Sequence, residues 1–222
     1  MNYTFIILGI IVAVLIYVLY LYFSDDSTKL FEYQDLQKSA INVPADKINY
    51  NGQNYAYGFW IYVNNYSDGK TLLQRIKPTD DSTYEPSLKV YLPSSTPTLK
   101  VDIKTDSATE TIDVTNNFPI QKWVHVVVSK EGKIVDVYID GKLVKSHMLS
   151  GAPAYIHETE QLSSSAFPAF MARLKIWKHA LNPQTVYDEY MKGNGQSGMI
   201  TGYGVDVSVL RDNIEQTKFS LL

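Results

Sequence analysis

The chain has 222 residues, a formal net charge of -3 and 45% hydrophobic residues, among them 17 Tyr, 8 Phe and 3 Trp. That is enough for one sizeable core plus an accessory segment, and the slight acidity argues against a nucleic-acid binder, which carries a basic face. The absence of cysteine removes disulfides, thiolate metal sites and thiol nucleophiles together.

The first element is apolar. Phe5 to Phe23, FIILGIIVAVLIYVLYLYF, runs for 19 residues without a charge, and the first charged side chain is Asp25. As a helix rising about 1.5 Å per residue it covers roughly 28 Å, close to the ~30 Å hydrocarbon core of a bilayer. Tyr17, Tyr20, Tyr22 and Phe23 crowd one end and Tyr3 the other, as interfacial rings do. Residues 1–24 are therefore predicted to be a transmembrane anchor, with Phe5, Ile10, Leu15, Leu19 and Phe23 among its membrane-embedded positions. A cleaved signal peptide would need a basic leader, a shorter apolar run and a small-x-small cleavage site, and the sequence offers none. Charge does not set the orientation: no basic residue precedes the run, and only Lys29 and Lys38 follow closely. Two sequons, at Asn2 and Asn65, would matter only on a lumenal or external side.

Residues 25–45 are polar, mixed in charge and carry Pro44, and read as a tether with a short helix around Tyr33–Lys38. From residue 46 to 193 the period becomes two. YAYGFWIYV, from Tyr55, has apolar groups on both faces and reads as a central strand. SLKVYL, TLKVDI, ETIDV and the segments after them alternate in the same way. Gln121–Leu149 holds a three-stranded meander, Trp123–Ser129, Lys133–Asp140 and Lys142–His147. Its turns carry Gly132 and the Asp140-Gly141 pair that tight hairpins favour. In FMARLKIWK, Ala172, Leu174 and Ile176 alternate against Arg173, Lys175 and Trp177. A short helix follows, capped by Asn182, opened by Pro183 and stopped by Gly193, with Val186 and Tyr190 on its packing side. Residues 194–222 begin glycine-rich and contain one more alternating run, Val205, Val207 and Val209: an extra strand or an arm. The expected fold class is all-β, a two-sheet antiparallel jelly-roll sandwich with one short C-terminal helix, preceded by a single transmembrane helix.

In order, YAYGFWIYVNN, KTLLQR, PSLKVYL, TLKVDI, FPIQKWVHVVVS, VDVYIDGKLVKS and MARLKIWKHALNPQTVYDEYMKG resemble the laminin-G-like, or concanavalin A-like, jelly roll over Ile41–Gly193. The anchor ahead of this domain and the GYGVDVSVLRDN tail resemble a group of proteins from nucleocytoplasmic large DNA viruses. That resemblance implies a structural virion protein, a minor capsid protein linking an internal membrane to the capsid shell, with the bilayer and capsid proteins as partners. The fold also serves lectins and glycan hydrolases, so fold alone does not set function.

A hydrolase of this fold groups its carboxylates on one strand across a cleft. Here Glu131 and Asp140 fall in turns, Asp136 is alone on its strand, and Glu158 and Glu160 lie in a loop; the expectation is no enzyme. His125, His147, His157 and His179 are scattered singly, which argues against a transition-metal site, and no cofactor is expected. The resemblance implies that calcium, which needs only oxygens, could sit on a rim loop. Asp68, Asp80 and Asp81 lie in loops of that kind; the competing reading for each is a turn cap, and none is assigned as a ligand. The alternative function is a membrane-tethered glycan-binding module, with Trp60 and Tyr62 as contacts and Tyr66, Tyr84 and Tyr91 as further displayed aromatics. The competing reading for Trp60 and Trp177 is that they fill the second face of the sheet under the helix.

Overall fold

The computed structural model describes residues 3–23, 26–50, 52–65, 68–78, 85–94, 96–195, 206–211 and 214–220; side chains of 3–6, 21–23 and the last two segments lie outside the description. Helix α1 (Tyr3–Phe23) comes first, then β1 (Thr28–Asp35), β2 (Asn42–Val43) and α2 (Ala45–Ile48). The body of the chain follows as β3 (Tyr55–Val63), β4 (Lys70–Ile76), β5 (Leu88–Leu92), β6 (Leu99–Lys104), β7 (Thr109–Thr115), β8 (Trp123–Glu131), β9 (Ile134–Ile139), β10 (Lys142–Met148), β11 (Gln161–Ser163) and β12 (Ala169–Trp177). Helix α3 (Pro183–Met191) and a hairpin of β13 (Asp206–Arg211) and β14 (Ile214–Ser220) complete it.

Two six-stranded sheets form, ordered β1-β12-β3-β8-β9-β10 and β2-β11-β4-β5-β6-β7. Their pairings are antiparallel throughout. Alternation explains the layering. Phe59, Ile61, Val124, Val126, Val128, Val135 and Val137 of the first sheet meet Leu88, Val90, Leu92, Leu99, Val101 and Ile103 of the second in one buried cluster. Each such side chain contributes about 1.5–3 kcal/mol on leaving water. One ion pair shares this interior. Arg75 on β4 lies 3.4 Å from Glu160; its Nη1 donates to Tyr57 Oη at 3.0 Å and its Nη2 to the Tyr50 carbonyl. Burial pushes the Tyr57 hydroxyl pKa up, with Arg75 opposing.

The expected tether differs most from the structure. Residues 28–35 form an edge strand on β12, and residues 42–43 pair with β11. A register shift between Lys29 and Phe31 lets the neighbours Leu30 and Phe31 both pack against the core, which erases the period-two signal in the sequence. No helix forms at 33–38; the chain turns there, with Gln37 N donating to Asp35 Oδ1 at 3.0 Å. The alternation expected in β12 also slips by one. Arg173 takes φ 49° at an irregularity between Ala172 and Lys175, so Ala169 and Met171, then Leu174 and Ile176, face the core. The alternating run near the end becomes a hairpin, not a single strand.

Helix α1 stands where the anchor is expected, its described side chains from Ile7 to Tyr20 nearly all large, apolar and exposed. Among the described residues no helix is long and apolar enough to cross a membrane. That described stretch includes Ile10, Leu15 and Leu19 but stops short of Phe5 and Phe23, whose side chains lie outside it.

The sheets are latched at one edge by Glu110 on β7. It accepts from Ser150 Oγ at 2.7 Å, Ser150 N at 2.9 Å and Gly151 N at 3.1 Å, just beyond β10. The Ser150 hydroxyl chiefly, with these amides and His147, lowers its pKa to about 2 against opposing desolvation. A carboxylate depressed in the folded state stabilises above its unfolded pKa and loses that contribution as pH falls towards 2. Chemical denaturation from pH 6 to 2.5 is therefore expected to show Glu110→Gln less stable than wild type at pH 6, with the difference closing in acid. A constant difference would place the contribution elsewhere.

Candidate functional site

One face of the first sheet is committed to the core, and the other is divided in two. Helix α3 covers the half where β1 begins. Asn182 Oδ1 accepts from Thr185 N at 2.9 Å, Pro183 opens the first turn, and Gly193 ends the helix at φ 70°. Val186 packs with Ala56, Val127, Tyr138, Trp177 and Leu181 in a second buried cluster. Gly58 makes room: a Cβ there would stand 2.9 Å from Trp177 Cζ3. Lys175 on β12 reaches Glu189 of the helix at 3.0 Å with both groups nearly buried. The left-handed Arg173 donates to the carbonyls of Lys192 at 2.7 Å and Gly193 at 2.8 Å, closing the helix C-terminus.

Trp60 belongs to this covered half. It is 8% exposed, with its ring 5.5 Å from Tyr190 and 5.0 Å from His125. The expectation that Trp60 is displayed to a glycan is thus corrected: the helix it supports occupies its face. Burial first of all lowers the His125 pKa to about 4, so the ring is neutral in this packing.

Among the described residues, the other half of the face is open. Tyr62, expected as a contact, remains there half-exposed, and three rings missed in the sequence join it. Tyr62 pairs in register with Trp123 on β8 and with Phe170 on β12. Ring centroids run 5.8 Å from Trp123 to Tyr62, 6.3 Å on to Phe170 and 6.0 Å on to Tyr33, the last pair stacked. Tyr33 is 42% exposed. Four adjacent strands thus carry one aromatic band, rimmed by Asp35 beside Phe170 and by Lys122, which lies 3.5 Å from Asp140. The signal in the sequence was Tyr62 on the face of Gly58 and Trp60; the partners needed the strand order, with β12 and β1 adjacent to β3.

Next to the band, residues 115–119, the β9–β10 turn and α3 enclose a cleft of about 540 Å³ walled by Tyr187, Tyr190, Ile139 and Val144, with Asn117, Asp140 and Lys142 as polar groups. Gly141, at φ 75°, lets the turn approach: a Cβ would meet Tyr187 and Tyr190 at 3.2 Å.

The other sequence candidates have other places. Tyr91 donates to Asp102 at 3.3 Å on the second sheet. Glu160 is the partner of Arg75, and Asp140 Oδ1 accepts from His125 N at 2.9 Å. Of the calcium candidates Asp68 is described while Asp80 and Asp81 lie outside the described residues, as do Tyr66 and Tyr84. Among the described residues no three His, Asp or Glu side chains group as a metal site. Replacing Trp60 by Ala is expected to lower unfolding stability by about 3–5 kcal/mol, and Tyr62→Ala by about 1 kcal/mol, as read from urea midpoints by circular dichroism. Equal losses would mean that both rings are core.

Residues 35–187 match the family model described as the concanavalin A-like lectin/glucanases superfamily, of laminin G type. No curated protein matches the chain. Among solved structures, the receptor binding domain of botulinum neurotoxin C/D mosaic serotype superposes with a TM-score of 0.52 at 13% identity, over 69% of this chain and 40% of that one. The botulinum neurotoxin serotype G binding domain gives 0.48 at 18% identity, over 64% and 37%. The chain therefore spans about two fifths of the length of these structures, and the likeness is one of fold.

Proposed function

Because the chain belongs to the laminin-G-type group of the concanavalin A-like lectin/glucanases superfamily, we propose that it is a membrane-tethered recognition module. It binds glycans through the aromatic band and does no chemistry of its own. The observation that carries this is the row Tyr33–Phe170–Tyr62–Trp123 on four adjacent strands, with no helix over it among the described residues. Pyranose rings present axial C–H faces that stack on such rings, while Asp35 and Lys122 at the rim suit hydroxyl groups. The family description is in keeping with a sugar ligand, and two of the candidate carboxylates, Glu160 and Asp140, are engaged by Arg75 and by the backbone of His125.

The tether of the module is α1. The uncharged run Phe5–Phe23, carried as one helix, would rise roughly 28 Å, close to a bilayer core. The described side chains of α1, Ile7 to Tyr20, are too few to cross alone. The band lies at the opposite end of the first sheet from the start of β1, and so points away from that membrane. A capsid partner, expected from the virus-like resemblance, is supported by no feature of the band or the family; the glycan reading takes first place.

The full chain in nanodiscs, screened on an oligosaccharide panel with and without calcium, is expected to give saturable binding to at least one glycan. Each of Tyr62→Ala and Trp123→Ala weakens that binding roughly threefold to tenfold, the scale of one aromatic contact. A blank panel, or binding indifferent to both substitutions in folded protein, would remove the proposal.

A further inference from the structure

Helix α1 ends at Phe23 and β1 begins at Thr28, so four residues separate the apolar helix from the first sheet. Fully extended, that connection reaches roughly 17 Å. Asp26 and His179, 3.3 Å apart, hold its end against the exit of β12. The end of the sandwich at which β1 starts is therefore close to wherever α1 is buried.

Antiparallel register identifies what else lies at that end. Thr28 pairs with Ile176 near the end of β12; β3 starts there, β8 ends there, and β9 starts where β10 stops. The last pair is Met148 with Ile134; both are apolar and exposed, Met148 at 73% and Ile134 at 48%. Tyr155, 61% exposed, stands in the neighbouring loop, which is fixed to the same end by Ala154 N donating to Lys104 O at 3.0 Å. Six strands at about 4.8 Å spacing set this apolar corner roughly 24 Å across the sheet from β1. Lys104, Lys133 and Lys178 at this end stand with Asp26, Asp106 and Glu131, so the surface carries both signs of charge.

We propose that this end of the sandwich is a second membrane contact: Met148, Ile134 and Tyr155 sit in the interfacial layer of the bilayer that holds α1. The inference rests on the anchor reading. The occupant is a lipid surface because the short connection brings it within reach and the exposed groups are large and apolar. The mixed charge makes the contact independent of anionic lipid. With one edge held by α1 and the other by this corner, the domain stands upright and does not swivel.

A chain without cysteine accepts single reporters cleanly. Met148→Cys, Ile134→Cys, Ile120→Cys at the opposite end, and Val12→Cys within α1 are each labelled with an environment-sensitive fluorophore. The full chain is then placed in phosphatidylcholine nanodiscs containing nitroxide-bearing lipid. The proposal expects strong lipid quenching at 12, substantial quenching at 148 and 134, and none at 120, unchanged when phosphatidylserine is added. Quenching at 12 with 148 and 134 behaving as 120 would overturn the contact and leave the anchor standing. Blue-shifted but unquenched probes at 148 and 134 would overturn it in favour of a protein cover, the terminal hairpin or a second copy. An unquenched probe at 12 would overturn anchor and contact together.

Discussion

The rest of this structure depends on how the outer face of the first sheet is covered. A two-layer sandwich buries one face of each sheet automatically, and a site must then be built on a free face or at an end. Here a nine-residue helix closes half of one such face. The hold is specific: Asn182 at the start, Arg173 on the last carbonyls, Lys175 against Glu189, and Trp60, Trp177 and Val186 filling the space between. A short helix has little stability of its own; packing and these contacts keep it in place. Because it reaches only as far as Trp60, Tyr62 and its three neighbours remain open.

Two buried ion pairs show the same economy. Arg75–Glu160 and Lys175–Glu189 both sit out of water, where removing one partner costs about 3–5 kcal/mol by leaving the other uncompensated. The first joins β4 to the segment before β11 inside the sandwich, the second joins β12 to α3 outside it. Each fixes an element that has too few apolar residues to place itself: β11 has three residues, α3 nine.

What could be read in the sequence follows from which signals are local. The meander from Trp123, the hairpin at Asp140-Gly141 and the Asn182-Pro183 helix start were legible because turn and cap chemistry acts over a few residues. The edge strand at Thr28–Asp35 was not, since its irregularity sets Leu30 and Phe31 side by side inward and its partner lies far along the chain. Arg173 likewise hid the true parity of β12. The site was half legible. Tyr62 could be named from its own strand, but Trp123, Phe170 and Tyr33 become its neighbours only through pairings of distant segments, and Trp60 was lost to a helix that arrives more than a hundred residues later.

The replacement of a long tether by an edge strand also changes how the molecule bears force. Hydrogen bonds in an antiparallel ladder lie across the strands. A ligand held at the band and a helix held in a bilayer would pull on opposite ends of the first sheet, along β1 and β12. Such a load shears the whole β1–β12 ladder at once, whereas a pull across the sheet would open it one bond at a time. On the proposed reading, the place where β1 joins β12 would make the sandwich a mechanically stiff link between a ligand at the band and a bilayer that holds α1.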